Sequence, residues 1–311
     1  MRPGHTSLAE TGDSSYLERL SAESKKWGDH LAIEAAREMN AWLDHPSIGA
    51  HYFSRSLLEG LSWYDWVPRS LGGPAARSLE LGCGSGSLSM RLYAAGATRH
   101  VEGMDASAER IQEAENGRKA GGAPGRFFVG DANRLELEPE RYDLIVSAHS
   151  FHHFLELENA MTQVLRALTP RGLFILEEFV GPTQFQWTDA QIEITRALMS
   201  LIPERFRMLR WNAVKPYEGR PTVAEVVAAS PFESIRSAEI TPLFERYFRV
   251  LHKRDLGGTI QHLLYNGIIH NFTVGEPETE AIVRGIWQVE DALVDSGMLP
   301  SDFQLLVGAR P

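Results

Sequence analysis

Four things are scarce in this 311-residue chain, and each scarcity excludes a class of protein. There is one cysteine, Cys83, so neither an internal disulfide framework nor a cysteine-rich zinc site can form, and a lone thiol suits a reducing compartment. No uninterrupted apolar run approaches the ~18 residues of a membrane span. Basic residues number 31 against 41 acidic ones, a formal net charge of −10 with no long Lys/Arg run, so no surface for tracking nucleic-acid phosphates or anionic lipid is expected. There are no repeats and no low-complexity linker. The opening "MRPGHTSLAETGDSSYLERL" lacks a basic start followed by an apolar stretch, so it reads as a polar tail rather than a secretory signal. A cytoplasmic globular protein is expected, and nothing in the sequence fixes its oligomeric state.

What is present falls into three stretches, with a helical cap expected over 1–75 and one domain over 76–311. From Tyr16 to about Leu71 the pattern is helical and rich in aromatics, including Trp27, Trp42, Trp63, Trp66, Tyr52, Phe53 and Tyr64. From Arg77 strands and helices alternate: "RSLEL", "HVEGMD", "RFFVGD", "YDLIVSAHS" and "GLFILEE" read as strands. Leu88 and Leu92 share a helical face, Ser107 is placed to cap the next helix, and Pro170 and Gly172 stop a third. Repeated strand–helix units imply parallel strands with right-handed crossovers and helices on both faces. A helical insert follows over about 182–246. "RYFRVLHKRDL" and "DFQLLVGAR" are two further strand candidates, separated by two expected helices, "GGTIQHLLYNGIIHNF" and "EAIVRGIWQVEDALVDSG". The fold class expected is α/β: a seven-stranded, mostly parallel Rossmann-like sheet with a helical cap and an insertion after the fifth strand. The cofactor-binding core is expected over 76–180 and the last strands and helices over 247–311.

The most specific stretch is "LELGCGSGSL" at a strand-to-helix turn. Gly82, Gly84 and Gly86 alternate there, allowing positive φ and close approach of a ligand to the backbone. A dinucleotide fingerprint needs G-x-G-x-x-G. This spacing is tighter, and Glu80 before the first glycine would repel a pyrophosphate but suit an ammonium or hydroxyls, which disfavours a dinucleotide-dependent dehydrogenase.

At these residues the chain resembles the class I S-adenosylmethionine-dependent methyltransferases of small-molecule type, whose first motif, E/D-x-G-x-G-x-G, is met by Glu80, Gly82, Gly84 and Gly86. The resemblance continues with Asp105 ending the second strand, Asp131 in "VGDAN", "SAHSFHHF" after the fourth strand, and "LTPRGLFILEE", where Arg171 replaces a glycine of the family's turn. It spans about Ser78 to Glu178. It implies S-adenosylmethionine as cofactor, with Asp105 on the ribose hydroxyls and Asp131 near the adenine amino group. The cofactor residues it implies are Glu80, Gly82, Cys83, Gly84, Gly86, Asp105, Ala106, Asp131, Ala132 and His149.

Three histidines, His149, His152 and His153, lie just beyond the fourth strand, at the edge where open α/β sheets bind ligands. No metal site is expected, because adjacent side chains such as His152 and His153 diverge on most backbones. His152, His153 and Glu178 are candidate catalytic groups, with Glu177 a rival carboxylate; an imidazole suits the removal of an acceptor's proton. Tyr52, Arg55, Phe185 and Trp187 are candidate substrate contacts in the cap and insert. The expected reaction is methyl transfer to a small organic molecule through O, N or C. The alternatives are a peptide or protein methyltransferase and a non-catalytic S-adenosylmethionine-binding partner protein. The expected partner is thus a small-molecule substrate, with no nucleic acid and no membrane.

Overall fold

The computed structural model describes residues 14–35, 39, 41–216 and 219–311. Most of the polar tail therefore lies outside the described residues. Seven strands form one sheet in the order β3-β2-β1-β4-β5-β7-β6. They are β1 (Ser78–Leu81), β2 (Val101–Asp105), β3 (Gly125–Val129), β4 (Tyr142–Ala148), β5 (Leu168–Phe179), β6 (Arg249–Gly257) and β7 (Phe303–Ala309). The first five pair in parallel, and β7 is antiparallel to both β5 and β6. A sheet assembled through crossover helices is buried on both faces, which is why its central strands read as near-continuous apolar runs.

Alternation along those strands divides the core. Leu144, Val146, Leu173, Ile175, Leu305 and Val307 point to one face, Ile145, Phe174, Leu176 and Leu306 to the other. The first face is covered by α2 (Pro46–Arg55), α3 (Trp63–Leu71), α4 (Ser87–Ala94) and α11 (Pro277–Asp295); the second by α6 (Leu157–Ala167) and α9 (Ile240–Tyr247). Helix α5 (Ala108–Ala120) packs through Ile111 and Ala114 against Val101 and Phe127 at the β2–β3 end. The long α1 (Ser14–Ala35) lies against α5. No helix among the described residues is long and apolar enough to cross a membrane.

Two stretches differ from their sequence pattern. The insert contains α7 (Asp189–Leu201) and α8 (Val223–Ala229), but between them only the 3-10 turn Glu204–Phe206, because Pro203, Pro216 and Pro221 interrupt helical hydrogen bonding. "GGTIQHLLYNGIIHNF" yields only the short α10 (Gln261–Tyr265) and a 3-10 turn, since Gly267 turns the chain at φ 75°. The strand β5 also begins earlier than "GLFILEE": Leu168 already pairs with Tyr142, and a register shift absorbs the Thr169–Gly172 turn.

Candidate active site

A cavity of about 680 Å³ opens at the carboxyl edge of β1, β2 and β4. Its floor is the turn after β1. Gly82 and Gly84 both hold positive φ (68° and 51°), a region that a side chain enters only with strain. Gly86 does a different job. It starts α4 at φ 75° away from the cavity lining, and a Cβ there would sit 2.8 Å from the Phe127 ring, so its smallness serves helix packing.

Three carboxylates mark the cavity at the positions the sequence singled out. Glu80 is buried; Ser89 donates to its Oε2 from both the backbone N–H (2.9 Å) and Oγ (2.6 Å). Burial raises its pKa against those two donors, up to about 7. Asp105 fastens the turn: Gly84 N–H donates to Oδ2 and Ser107 N–H to Oδ1, both at 2.9 Å. Asp131 accepts the Asn133 N–H at 2.9 Å. Cys83, Ala106, Ala132, Asn133 and His149 complete this side of the lining.

The roof is α1, the first helix of the expected cap. Tyr16 Oη donates to Asp131 at 2.8–2.9 Å, and burial together with that carboxylate pushes its pKa up. Ser24 Oγ donates to the Ala106 carbonyl at 3.0 Å. Glu23 accepts from Trp27 Nε1 (2.7 Å) and from Ser230 Oγ of the insert (2.8 Å). Single aromatic or acidic residues on a helix carry no spacing signal, so nothing in the sequence marks these contacts.

The other end of the cavity is lined by Asp44, Phe53, Trp63, Tyr64, Arg91 and Glu177. Trp63 Nε1 donates to Glu177 Oε2 at 2.8 Å. Glu177 Oε1 lies 3.7 Å from His149 Nε2. His149 itself sits at φ 51°, rare for a residue with a β-carbon, with its N–H donated to the Glu177 carbonyl and its ring partly open to the cavity.

Of the three candidate catalytic groups only His153 lines the cavity. Glu178 points to the opposite side of β5 from Glu177, fully buried, and its carboxylate is consumed by the Ser150, Phe151 and Phe179 N–H groups and by His152 Nδ1 at 2.5 Å. His152 lies between Glu178 and Glu233; burial opposes its charge, but the two carboxylates outweigh burial and push its pKa up to about 10, well above the range of a general base at neutral pH. The rings of His152 and His153 do not diverge: their centroids lie 4.3 Å apart, because the 3-10 turn Phe151–His153 brings both against carboxylates from other elements.

The four candidate substrate contacts also lie off the lining. Arg55 is tied up by Asp291, Asp295 and the Asp255 carbonyl. Phe185 and Trp187 stack on each other at 5.1 Å and pack around the half-buried His262, whose pKa desolvation drops to about 4. Tyr52 is buried behind Phe53, with its ring 6.4 Å from that of His149. Their places are taken by Phe53, Trp63 and Tyr64 from the same aromatic-rich segment.

The lining residues fit an S-adenosyl cofactor: glycines that let it meet the backbone, Glu80 for an ammonium, Asp105 for vicinal hydroxyls and Asp131 with Asn133 for an adenine edge. The sheet order and this site together define a class I S-adenosylmethionine-dependent methyltransferase fold. Comparison with known sequences agrees: the family described as "Methyltransferase domain" matches residues 73–246, more than half of the chain, and the chain belongs to it. Among curated relatives, the malonyl-[acyl-carrier protein] O-methyltransferase of Methylococcus capsulatus is 34% identical over 124 residues, 40% of this chain and 42% of that protein. The demethylmenaquinone methyltransferase of Thermus thermophilus is 29% identical over 106 residues, 34% of this chain and 48% of that one. The chain thus spans less than half the length of the curated relatives it matches. Among solved structures, an S-adenosylmethionine-dependent methyltransferase from Mesorhizobium loti aligns at TM-score 0.46 and 17% identity over 79% of this chain and 98% of that one. A geranyl diphosphate methyltransferase in complex with S-adenosylmethionine aligns at TM-score 0.49 and 14% identity over 99% and 95% of the two chains.

Proposed function

We propose that this protein transfers a methyl group from S-adenosylmethionine to a small organic acceptor held beside Phe53, Trp63, Tyr64, Glu177 and His149. The observation that carries the reading is one continuous cavity with cofactor-type groups at one end and an aromatic chamber with a carboxylate–imidazole pair at the other. Bound S-adenosylmethionine supplies an activated methyl on a sulfonium. The chain's part is to position and to exclude water. Asp105 and Asp131 fix the cofactor's sugar and base, Glu80 its ammonium, and the α1 roof closes the wet side. In the chamber His149 takes the acceptor's proton, and Glu177 stabilises the imidazolium so formed. Trp63 orients Glu177 through its indole N–H. A roof pinned at Tyr16, Glu23 and Ser24 supports a small acceptor over a peptide or protein, which would need an open groove. We read 76–180 as the cofactor-binding core, with 1–75 and about 182–246 supplying walls, and the lone thiol and absent basic runs favour a cytoplasmic enzyme.

Calorimetry with S-adenosylhomocysteine, followed by transfer of labelled methyl to a small-molecule library, tests the proposal. Replacement of Glu177 by Gln is expected to lower kcat by about 10²–10⁴ while leaving S-adenosylhomocysteine affinity within threefold. Binding with no transfer to any small molecule, but transfer to protein in a cell extract, would overturn it.

A further inference from the structure

At the cavity wall, two elements converge on one point. His152 and His153 come from the 3-10 turn after β4, and Glu233 from the insert. One donor atom from each lies within 4.8 Å of the others. Beside them, Glu23 Oε1 of α1 stands 3.0 Å from His153 Nδ1. All four side chains are largely buried, each no more than 14% exposed.

Two further observations point to a cation here. Glu178 Oε1 holds His152 Nδ1 at 2.5 Å, which leaves Nε2 as the nitrogen facing Glu233, 3.5 Å away, where a bound ion would displace the proton that Nε2 otherwise carries. A carboxylate behind an imidazole is the arrangement that orients metal-bound histidines. The buried His153 Nδ1 makes no hydrogen bond of acceptable geometry, although the Glu23 carboxylate is so near. The 3.5 Å between His152 Nε2 and Glu233 fits an ion between them, since two donors about 2.0–2.2 Å from one tetrahedral ion stand about 3.3–3.6 Å apart. Among the described residues, Lys26 faces the group, with its Nζ 3.7 Å from the far oxygen of Glu233.

We propose that His152 Nε2, His153 and Glu233 bind one divalent first-row cation, zinc by their chemistry, with the fourth position open to water. Two imidazoles and a carboxylate are the donor set of tetrahedral zinc rather than of magnesium or calcium. The ion joins the β4 edge to the insert, and so fixes the wall of the cavity. Its role is structural, with no part in methyl transfer.

The test uses the full chain carrying a tag without histidine. After stripping with dipicolinate, calorimetric titration with Zn²⁺ is expected to show one site tighter than about 1 µM. Stripping is expected to weaken S-adenosylhomocysteine binding and zinc to restore it. The E233Q variant, which keeps the shape and removes the charged donor, is expected to weaken zinc by tenfold or more. Because that variant could also loosen the wall, K26M provides the second reading: removing the competing ammonium is expected to tighten zinc severalfold. Weaker zinc binding to the wild type, E233Q affinity within threefold of it, or a K26M variant that loses Tm without gaining zinc affinity would each identify the cluster as a buried ion-pair network and overturn the assignment.

Discussion

Replacing Asp105 by asparagine separates the two duties of that carboxylate. Its oxygens hold the glycine turn against the end of β2, one through Gly84 N–H and one through Ser107 N–H, both at 2.9 Å. Asparagine has the same shape, so no cavity opens, but one oxygen becomes an NH₂ group facing an N–H. Bonds to a charged acceptor contribute about 1.5–3 kcal/mol against about 0.5–1.5 for neutral ones, and a donor left facing a donor costs about 1–3. The sum, allowing for rotation of the amide toward its better partner, is about 2–3 kcal/mol of folding stability. For a chain of this size that lowers Tm by about 4–10 °C. The same substitution removes the charged acceptor for two ribose hydroxyls, so S-adenosylhomocysteine is expected to bind about 10–150-fold more weakly. Thermal unfolding by circular dichroism gives the first quantity, and calorimetry well below both Tm values gives the second. If Tm fell as expected while affinity stayed within threefold of wild type, Asp105 would be a brace for the turn and no ligand to the cofactor.

Valine at Gly84, held at φ 51°, is expected to abolish measurable cofactor binding at a folding cost of about 1–2 kcal/mol; unchanged affinity would mean that the turn is not the site. Glu80, whose folded pKa of about 7 lies above its ordinary value of 4.5, is protonated in the fold between those limits while the unfolded chain is not. Its burial therefore costs nothing below pH 4.5 and up to about 3 kcal/mol above pH 7, and Glu80→Gln is expected to gain stability on wild type as pH rises through that window. Because a cofactor ammonium favours the charged carboxylate, binding is expected to release a proton below pH 7, seen as a buffer-dependent enthalpy; heats identical in phosphate and Tris would contradict it. Tyr16→Phe removes a bond to a charged acceptor and is expected to speed S-adenosylhomocysteine release about tenfold in stopped flow, whereas an unchanged rate would show that α1 does not hold the roof.

Short apolar runs separated by glycine turns and capped helices made the five parallel strands legible, since such units leave few ways to bury both faces of a sheet. The acid-glycine turn and the two aspartates were legible for a related reason: they sit at strand ends, where chain order alone places them on one edge. Adjacent residues on opposite faces were not separable. Glu177 enters the cavity and Glu178 leaves it, and only the pairing of β5 with β4 and β7 decides which. Nor could spacing show that Tyr16 reaches Asp131 across 115 positions, or that Arg55 is drawn off by Asp291 and Asp295. Strand ends are fixed by local pattern, whereas the walls built on them depend on long-range packing, in which any helix of suitable face can supply the next side chain. The tertiary structure alone also turns His152 and His153 toward one point, because the carboxylates that draw them together come from three distant segments of the chain.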